Sequence, residues 1–161
     1  LCKQQLPIIS GIYAPVTKQL WITEDGVSKC NGQLLSCSKA THGSQENLAI
    51  GLATYYTQET PYDLHKLGRL LETELGANLL NFRSTIYMDA LVANGALAAN
   101  IADVKEGWDC IGAHSVEAAG GMATTFTGDK VILPGANNGY ISSNGLIHNQ
   151  ILELLKQCRT S

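Results

Sequence analysis

Two apolar periods divide this chain, and the change from one to the other limits its fold more than any other feature. Before residue 38 the β-prone residues Ile8, Ile9, Ile12, Tyr13, Val16, Leu20 and Trp21 form two short runs about Ala14-Pro15-Val16-Thr17-Lys18. That pattern predicts two strands joined by a turn. Thr23-Glu24-Asp25-Gly26-Val27 then leads into Cys30-Asn31-Gly32-Gln33, and Asn-Gly is a strong hairpin signal because both positions accept φ > 0. Residues 7–38 read as an antiparallel meander, and the apolar run at 48–54 as a further strand after a polar loop at 41–46. From Thr60-Pro61 the period lengthens. Leu64, Leu67, Leu70, Leu71 and Leu75 recur at helical spacing up to Gly76, predicting a helix over 62–75 with Thr60 as its cap and Pro61 just inside.

Beyond Gly76, Leu79, Leu80 and Phe82 read as a short buried strand, and Ser84 or Thr85 as the cap of a helix carrying Tyr87, Ala90, Leu91 and Asn94. An apolar run follows at 96–104. Trp108-Asp109 opens a small-residue helix that stops at Gly120-Gly121. Short runs at 124–127 and 131–133, then a helix over 143–158, close the chain. The alternation of helix and strand gives an α/β fold class with mixed α and β layers. No internal repeat or linker is visible, so residues 1–161 form one unit without an internal boundary.

Composition excludes several classes. A chain of 161 residues, 45% hydrophobic and 16% charged, has one domain's length and too much aliphatic content to stay disordered. Its 14 acidic and 11 basic side chains leave a formal charge of −3, with no run of Lys or Arg, so nothing supports nucleic-acid binding by phosphate neutralisation. No apolar stretch approaches the ~18 residues of a membrane span, and residues 1–20 lack a basic start before an apolar core. Five dispersed cysteines, an odd number, and the lack of any Asn-x-Ser/Thr acceptor fit reduced thiols in a cytoplasm. Cys30 and Cys37 lack the second pair that zinc would need.

Isolated side chains offer few constellations. Cys110 and His114 would share a helical face, as a thiolate–imidazole pair does, but their small apolar neighbours make packing against a sheet the better reading. His42, His65 and His148 read as solvent-facing. Asp109, beside Trp108 at a helix start, has two readings: an N-cap, or an oxygen ligand for a hard cation such as Mg²⁺. Asp103 and Glu106 lie close to it in sequence.

Several of these segments, in order, resemble the carboxy-terminal half of the inositol monophosphatase family of Mg²⁺-dependent phosphatases. Gly11-Ile12-Tyr13-Ala14-Pro15, Trp21 and Cys30-Asn31-Gly32-Gln33 look like the hairpin that follows that family's metal-binding motif. Arg83-Ser84-Thr85 with Leu91-Val92-Ala93-Asn94-Gly95 takes the place of its Gly-Ser/Thr-Ala…Val-Ala-x-Gly helix. Trp108-Asp109-Cys110-Ile111-Gly112-Ala113 with Glu117-Ala118-Ala119-Gly120-Gly121 resembles its Trp-Asp-x-Ala-x-Gly…Glu-Ala-Gly-Gly signature. Pro134-Gly135-Ala136-Asn137-Asn138 resembles its Ala-Asn pair.

The resemblance implies the carboxy-terminal part of an αβαβα layered sugar-phosphatase fold and metal-assisted hydrolysis of a small-molecule phosphomonoester. Mg²⁺ is the implied cofactor, Asp109 its ligand, and Ser84 and Thr85 the contacts to substrate hydroxyls. A phosphate ester is the implied partner, and a homodimer is one assembly open to the intact protein. Departures are equally specific. The family's upstream Glu and its Asp-Pro-Leu/Ile-Asp-Gly-Thr ligands do not occur here; Arg83 replaces a Gly, and Ala102 a sugar-binding Glu. Arg83 would contact a second anionic group or form a structural ion pair. The expectation is an active site whose first part lies before Leu1, an inactive fragment, and exposed apolar surface where that part packs. The alternative is a degenerate, non-catalytic domain that binds a sugar phosphate or a protein partner.

Overall fold

The computed structural model describes residues 1–54, 60–104, 106–132 and 139–160. A small hairpin, β1 (Cys2–Lys3) and β2 (Leu6–Pro7), precedes an antiparallel meander of β3 (Ile9–Ala14), β4 (Gln19–Glu24), β5 (Val27–Cys30) and β6 (Gln33–Leu34), paired in that order. Its last two turns have two residues each. Asp25-Gly26 joins the pair Glu24↔Val27, and Asn31-Gly32 joins Cys30↔Gln33. All four turn residues have positive φ (52°, 71°, 48° and 85°), the hand that matches strand twist. Asn31 adds two bonds across the meander: its Oδ1 accepts from the Leu20 amide at 2.9 Å and its Nδ2 donates to the Lys18 carbonyl at 3.2 Å. Burial alternates along the strands, with Ser10, Ile12, Trp21, Thr23 and Ser28 inside.

The second part begins with β7 (Ala49–Ala53), α1 (Leu64–Leu75), β8 (Asn78–Leu80), α2 (Thr85–Ala93) and β9 (Ala99–Ala102). It continues with α3 (Gly107–Cys110), α4 (Gly112–Ala118), β10 (Met122–Thr125), β11 (Tyr140–Ser143) and α5 (His148–Lys156). The five strands pair in the order β10-β11-β9-β7-β8. β7 runs parallel to β8 and β9, while β11 is antiparallel to β9 and β10. Strand alternation sorts the two faces. Ile50, Leu52, Ile101 and Ile141 pack on α1 and α5, whereas Ala49, Ala53, Ala102 and Tyr140 pack on α2 and α4. On their far side α2 and α4 meet the meander, where Trp21 is edge-on to Tyr87 (ring centroids 6.0 Å apart) and Ser115 Oγ lies 2.7 Å from Thr23 Oγ1. The succession is sheet, helices, sheet, helices: the last four layers of an αβαβα stack.

The meander, the strand at 48–54 and the leucine helix form as the sequence predicts. Other elements differ for identifiable reasons. The cap of α1 is Asp63, whose carboxylate accepts from the Lys66 amide at 2.9 Å, not Thr60. β8 is an edge strand with Leu80 exposed, as Phe82 is, rather than a buried one. The helix read from Trp108 is broken at Ile111 into α3 and α4. Ser143 ends a strand instead of opening a helix. Asn144 Oδ1 then accepts from the Leu146 and Ile147 amides at 3.0 and 3.4 Å, a turn that delays α5 to His148. His148 is buried, not solvent-facing, between Ser143 Oγ (2.8 Å to Nδ1) and Thr124 Oγ1 (2.9 Å to Nε2). The residues 134–138 lie outside the described ones.

Candidate active site

The Arg83-Ser84-Thr85 segment makes the turn that starts α2. Arg83 has φ = 54°, a left-handed backbone that favours glycine, the residue that the resembled family carries there. The Asn81 side chain stabilises this turn by accepting from the Arg83 amide at 2.8 Å. Ser84 is the N-cap of α2, yet its hydroxyl makes no capping bond and is exposed. It lines an open cleft of about 460 Å³ with Gly11, Ile12, Tyr13, Tyr87 and Ile111. Thr85 is buried, and its carbonyl accepts from Asn100 Nδ2 at 3.2 Å. Arg83 has no ion pair among the described residues.

Asp109 lies inside the first turn of α3, whose N-cap is Glu106. It is therefore not the cap that its position after Trp108 suggested. Its amide donates to the Glu106 carbonyl at 3.0 Å. Partial burial, and then the negative charge of Glu106, raise its carboxyl above the ordinary range. Such a site gains from a nearby cation. Among the described residues, however, no three His, Cys, Asp or Glu side chains converge to hold a metal ion. Mg²⁺ demands near-octahedral oxygen ligation, so the described residues do not by themselves form its site.

Beneath these two segments lies a carboxylate that sequence reasoning passed over. Asp89, on α2, is fully buried. Its Oδ1 accepts from Asn100 Nδ2 at 2.7 Å and from Ser142 Oγ at 2.5 Å, and its Oδ2 from the Tyr140 hydroxyl at 2.7 Å. Burial pushes its pKa up to about 6, against the opposing pull of those three bonds. Tyr140 also reaches the Asp109 carbonyl, at 3.1 Å. The available sequence signal was a lone acid four residues after Thr85 on an otherwise apolar helix.

Cys110 and His114 do line one cavity, of about 170 Å³, with Glu117 and Lys130. His114 Nδ1 is 3.0 Å from Ser10 Oγ, and burial lowers its pKa. Cys110 is buried, as the packing reading expects. All five cysteines are free thiols, and no described helix is long and apolar enough to cross a membrane.

The family model for the inositol monophosphatase family matches residues 1–160. No curated protein matches the chain in sequence. Among solved structures, inositol monophosphatase-II from Staphylococcus aureus is 17% identical with a TM-score of 0.80, over 97% of this chain and 58% of that one. The extragenic suppressor protein suhB from Bartonella henselae is 22% identical with a TM-score of 0.80, over 93% and 57%. An IMPase/NADP phosphatase complexed with Mg²⁺ and phosphate is 20% identical with a TM-score of 0.74, over 96% and 56%. These likenesses establish a common fold, and the chain spans somewhat more than half the length of each relative. With a match that runs from the first hairpin to the end of the last helix, this chain belongs to the inositol monophosphatase family.

Proposed function

We propose that the intact protein is a Mg²⁺-dependent phosphatase acting on a small-molecule phosphomonoester, an inositol phosphate or a related sugar or nucleotide phosphate. The observation that carries this reading is Asp109. It is a half-buried carboxyl raised by burial and by Glu106, standing at the family's Trp-Asp position within a match over residues 1–160. Asp109 is the metal ligand that the described residues offer, and the intact protein supplies the others. Exposed Ser84, at the cleft beside α2, serves a substrate hydroxyl. Buried Thr85 supports that turn, and exposed Arg83 offers a second anionic group a cation. A cytoplasmic setting accords with five free thiols. A phosphate-bearing relative held with Mg²⁺ supports the choice of cation.

Phosphate release from a panel of phosphomonoesters tests the proposal. The intact protein should turn over with Mg²⁺, and Asp109→Asn should lower kcat by about 100-fold or more. The 161-residue chain alone should show no chelator-sensitive turnover. Binding of a sugar phosphate by the intact protein, with no phosphate released, would favour the non-catalytic reading that Arg83 and Ala102 motivate.

A further inference from the structure

A continuous chain of polar contacts, buried except at its Asp109 end, joins the two ends of the candidate site. The Thr85 carbonyl, next to Ser84, accepts from Asn100 Nδ2 at 3.2 Å, and the same nitrogen donates to Asp89 at 2.7 Å. The single hydrogen of the Tyr140 hydroxyl is shared between two acceptors, Asp89 Oδ2 at 2.7 Å and the Asp109 carbonyl at 3.1 Å. Among the described residues, the buried Asn100 Oδ1 has no partner. The amide is thus oriented by its two donor bonds, because turning it over would aim its oxygen at the carboxylate. Gly112 closes the arrangement: a Cβ there would stand 2.5 Å from both Asp89 Cβ and Oδ2, so the α3–α4 junction approaches as bare backbone.

Stability alone is a poor account of this arrangement. A carboxylate in an apolar interior costs free energy, and well-packed apolar residues often replace buried polar clusters without loss. Here α2, β9, β11 and the α3–α4 junction instead direct their donors and their backbone at one side chain. We propose that Asp89 is a positioning residue, holding the Asp109 turn in register with the Ser84–Thr85 turn through Asn100 and Tyr140. The inference rests on reading Ser84 and Asp109 as parts of one active site.

Three variants of the intact protein test it. Tyr140→Phe keeps the ring and removes the hydroxyl that Asp89 and the Asp109 carbonyl share. Amide hydrogen exchange in the peptide covering 107–112 should quicken about tenfold relative to the rest of the protein. Phosphomonoester kcat should fall about tenfold, with KM changed by less than about twofold. Asp89→Leu fills the space without accepting, and should lose kcat comparably. Asp89→Asn should recover most of the activity, to within about threefold of wild type. Its Oδ1 still accepts from Asn100 and Ser142, while its Nδ2 donates to Tyr140 and leaves the phenolic hydrogen for the Asp109 carbonyl.

Unchanged exchange over 107–112 in Tyr140→Phe would overturn the proposal, as would equal activity in Asp89→Asn and Asp89→Leu. If Asp89→Leu does not fold, the exchange result in Tyr140→Phe decides. If wild type releases no phosphate, the phosphatase reading fails, and the exchange comparison still reports on the positioning.

Discussion

The two sheets of this molecule obey different burial rules. Strands β7, β9 and β11 are buried at every position, whereas β3, β4 and β5 alternate. The first group lies in a sheet covered by helices on both faces, which calls for apolar or small residues throughout. The meander is covered on one face, and its open face is mostly apolar, with Glu24 and Lys29 as charged members. Ile9, Tyr13, Leu20, Ile22 and Val27 lie on it, with Tyr13 59% and Leu20 42% exposed. Contiguous apolar surface of this kind belongs to interfaces, so the meander has the composition of a covered sheet and the exposure of an uncovered one. The resemblance implies exposed apolar surface on this chain, without saying which element carries it.

The largest effect should come from the fully covered sheet. Leu67 on α1 and Ile101 on β9 are both 0% exposed, and truncating either to Ala should cost about 2–5 kcal/mol in urea unfolding. A loss below about 1 kcal/mol would break the claim that stability resides there.

Next in size is a pH effect tied to the same sheet, since buried Asp89 and His148 both bond to β11. Burial lowers the His148 pKa from 6.5 to about 4. The unfolded chain then binds the extra proton between those values, and stability falls as pH drops from 6.5 towards 4. Asp89 has the opposite sign. Its pKa rises from 3.8 to about 6, so the folded state holds the proton, and stability is lost as pH rises through 6. Denaturation measured between pH 4 and 6.5 should show His148→Gln gaining on wild type towards the acid end. Asp89→Asn should gain on wild type towards the neutral end. Identical wild-type and variant slopes would contradict this assignment. The hydroxyls of Thr23, Ser28 and Ser115 beneath the meander contribute no such dependence.

The smallest stability change should come from the open face. Leu20→Thr and Ile22→Thr should shift stability by no more than about 0.5 kcal/mol, while reducing self-association and the binding of an apolar dye. A monodisperse wild-type chain that binds no dye would remove the contrast between the two sheets.

Much of the architecture was legible in the amino acids because its determinants are local. Asn31-Gly32 and Asp25-Gly26 need only their own φ preferences, and the leucines of α1 only their spacing. The strand Tyr140–Ser143 was not legible. Tyr-Ile-Ser-Ser followed by Asn-Gly looks like a loop, and its serines become interior residues because β9 and β10 flank them and Asp89 and His148 receive their hydroxyls. The candidate site divides the same way. Asp109, Ser84 and Arg83 stood out in order along the chain, but Asp89 did not, for its partners Asn100, Tyr140 and Ser142 are distant in sequence.

Alone, the sequence determined the turns, the periods of the main elements and the ordered signature of an inositol monophosphatase family member, all properties of residues within a few positions of one another. Tertiary structure decided which polar side chains could be buried. Asp89 and His148 are tolerable inside because packed strands bring hydroxyl and amide groups within hydrogen-bonding distance, and apart from Ser143, five residues before His148, these partners lie far along the chain. It also decided that the apolar side chains on the open face of the meander are exposed, since exposure depends on which layer lies opposite.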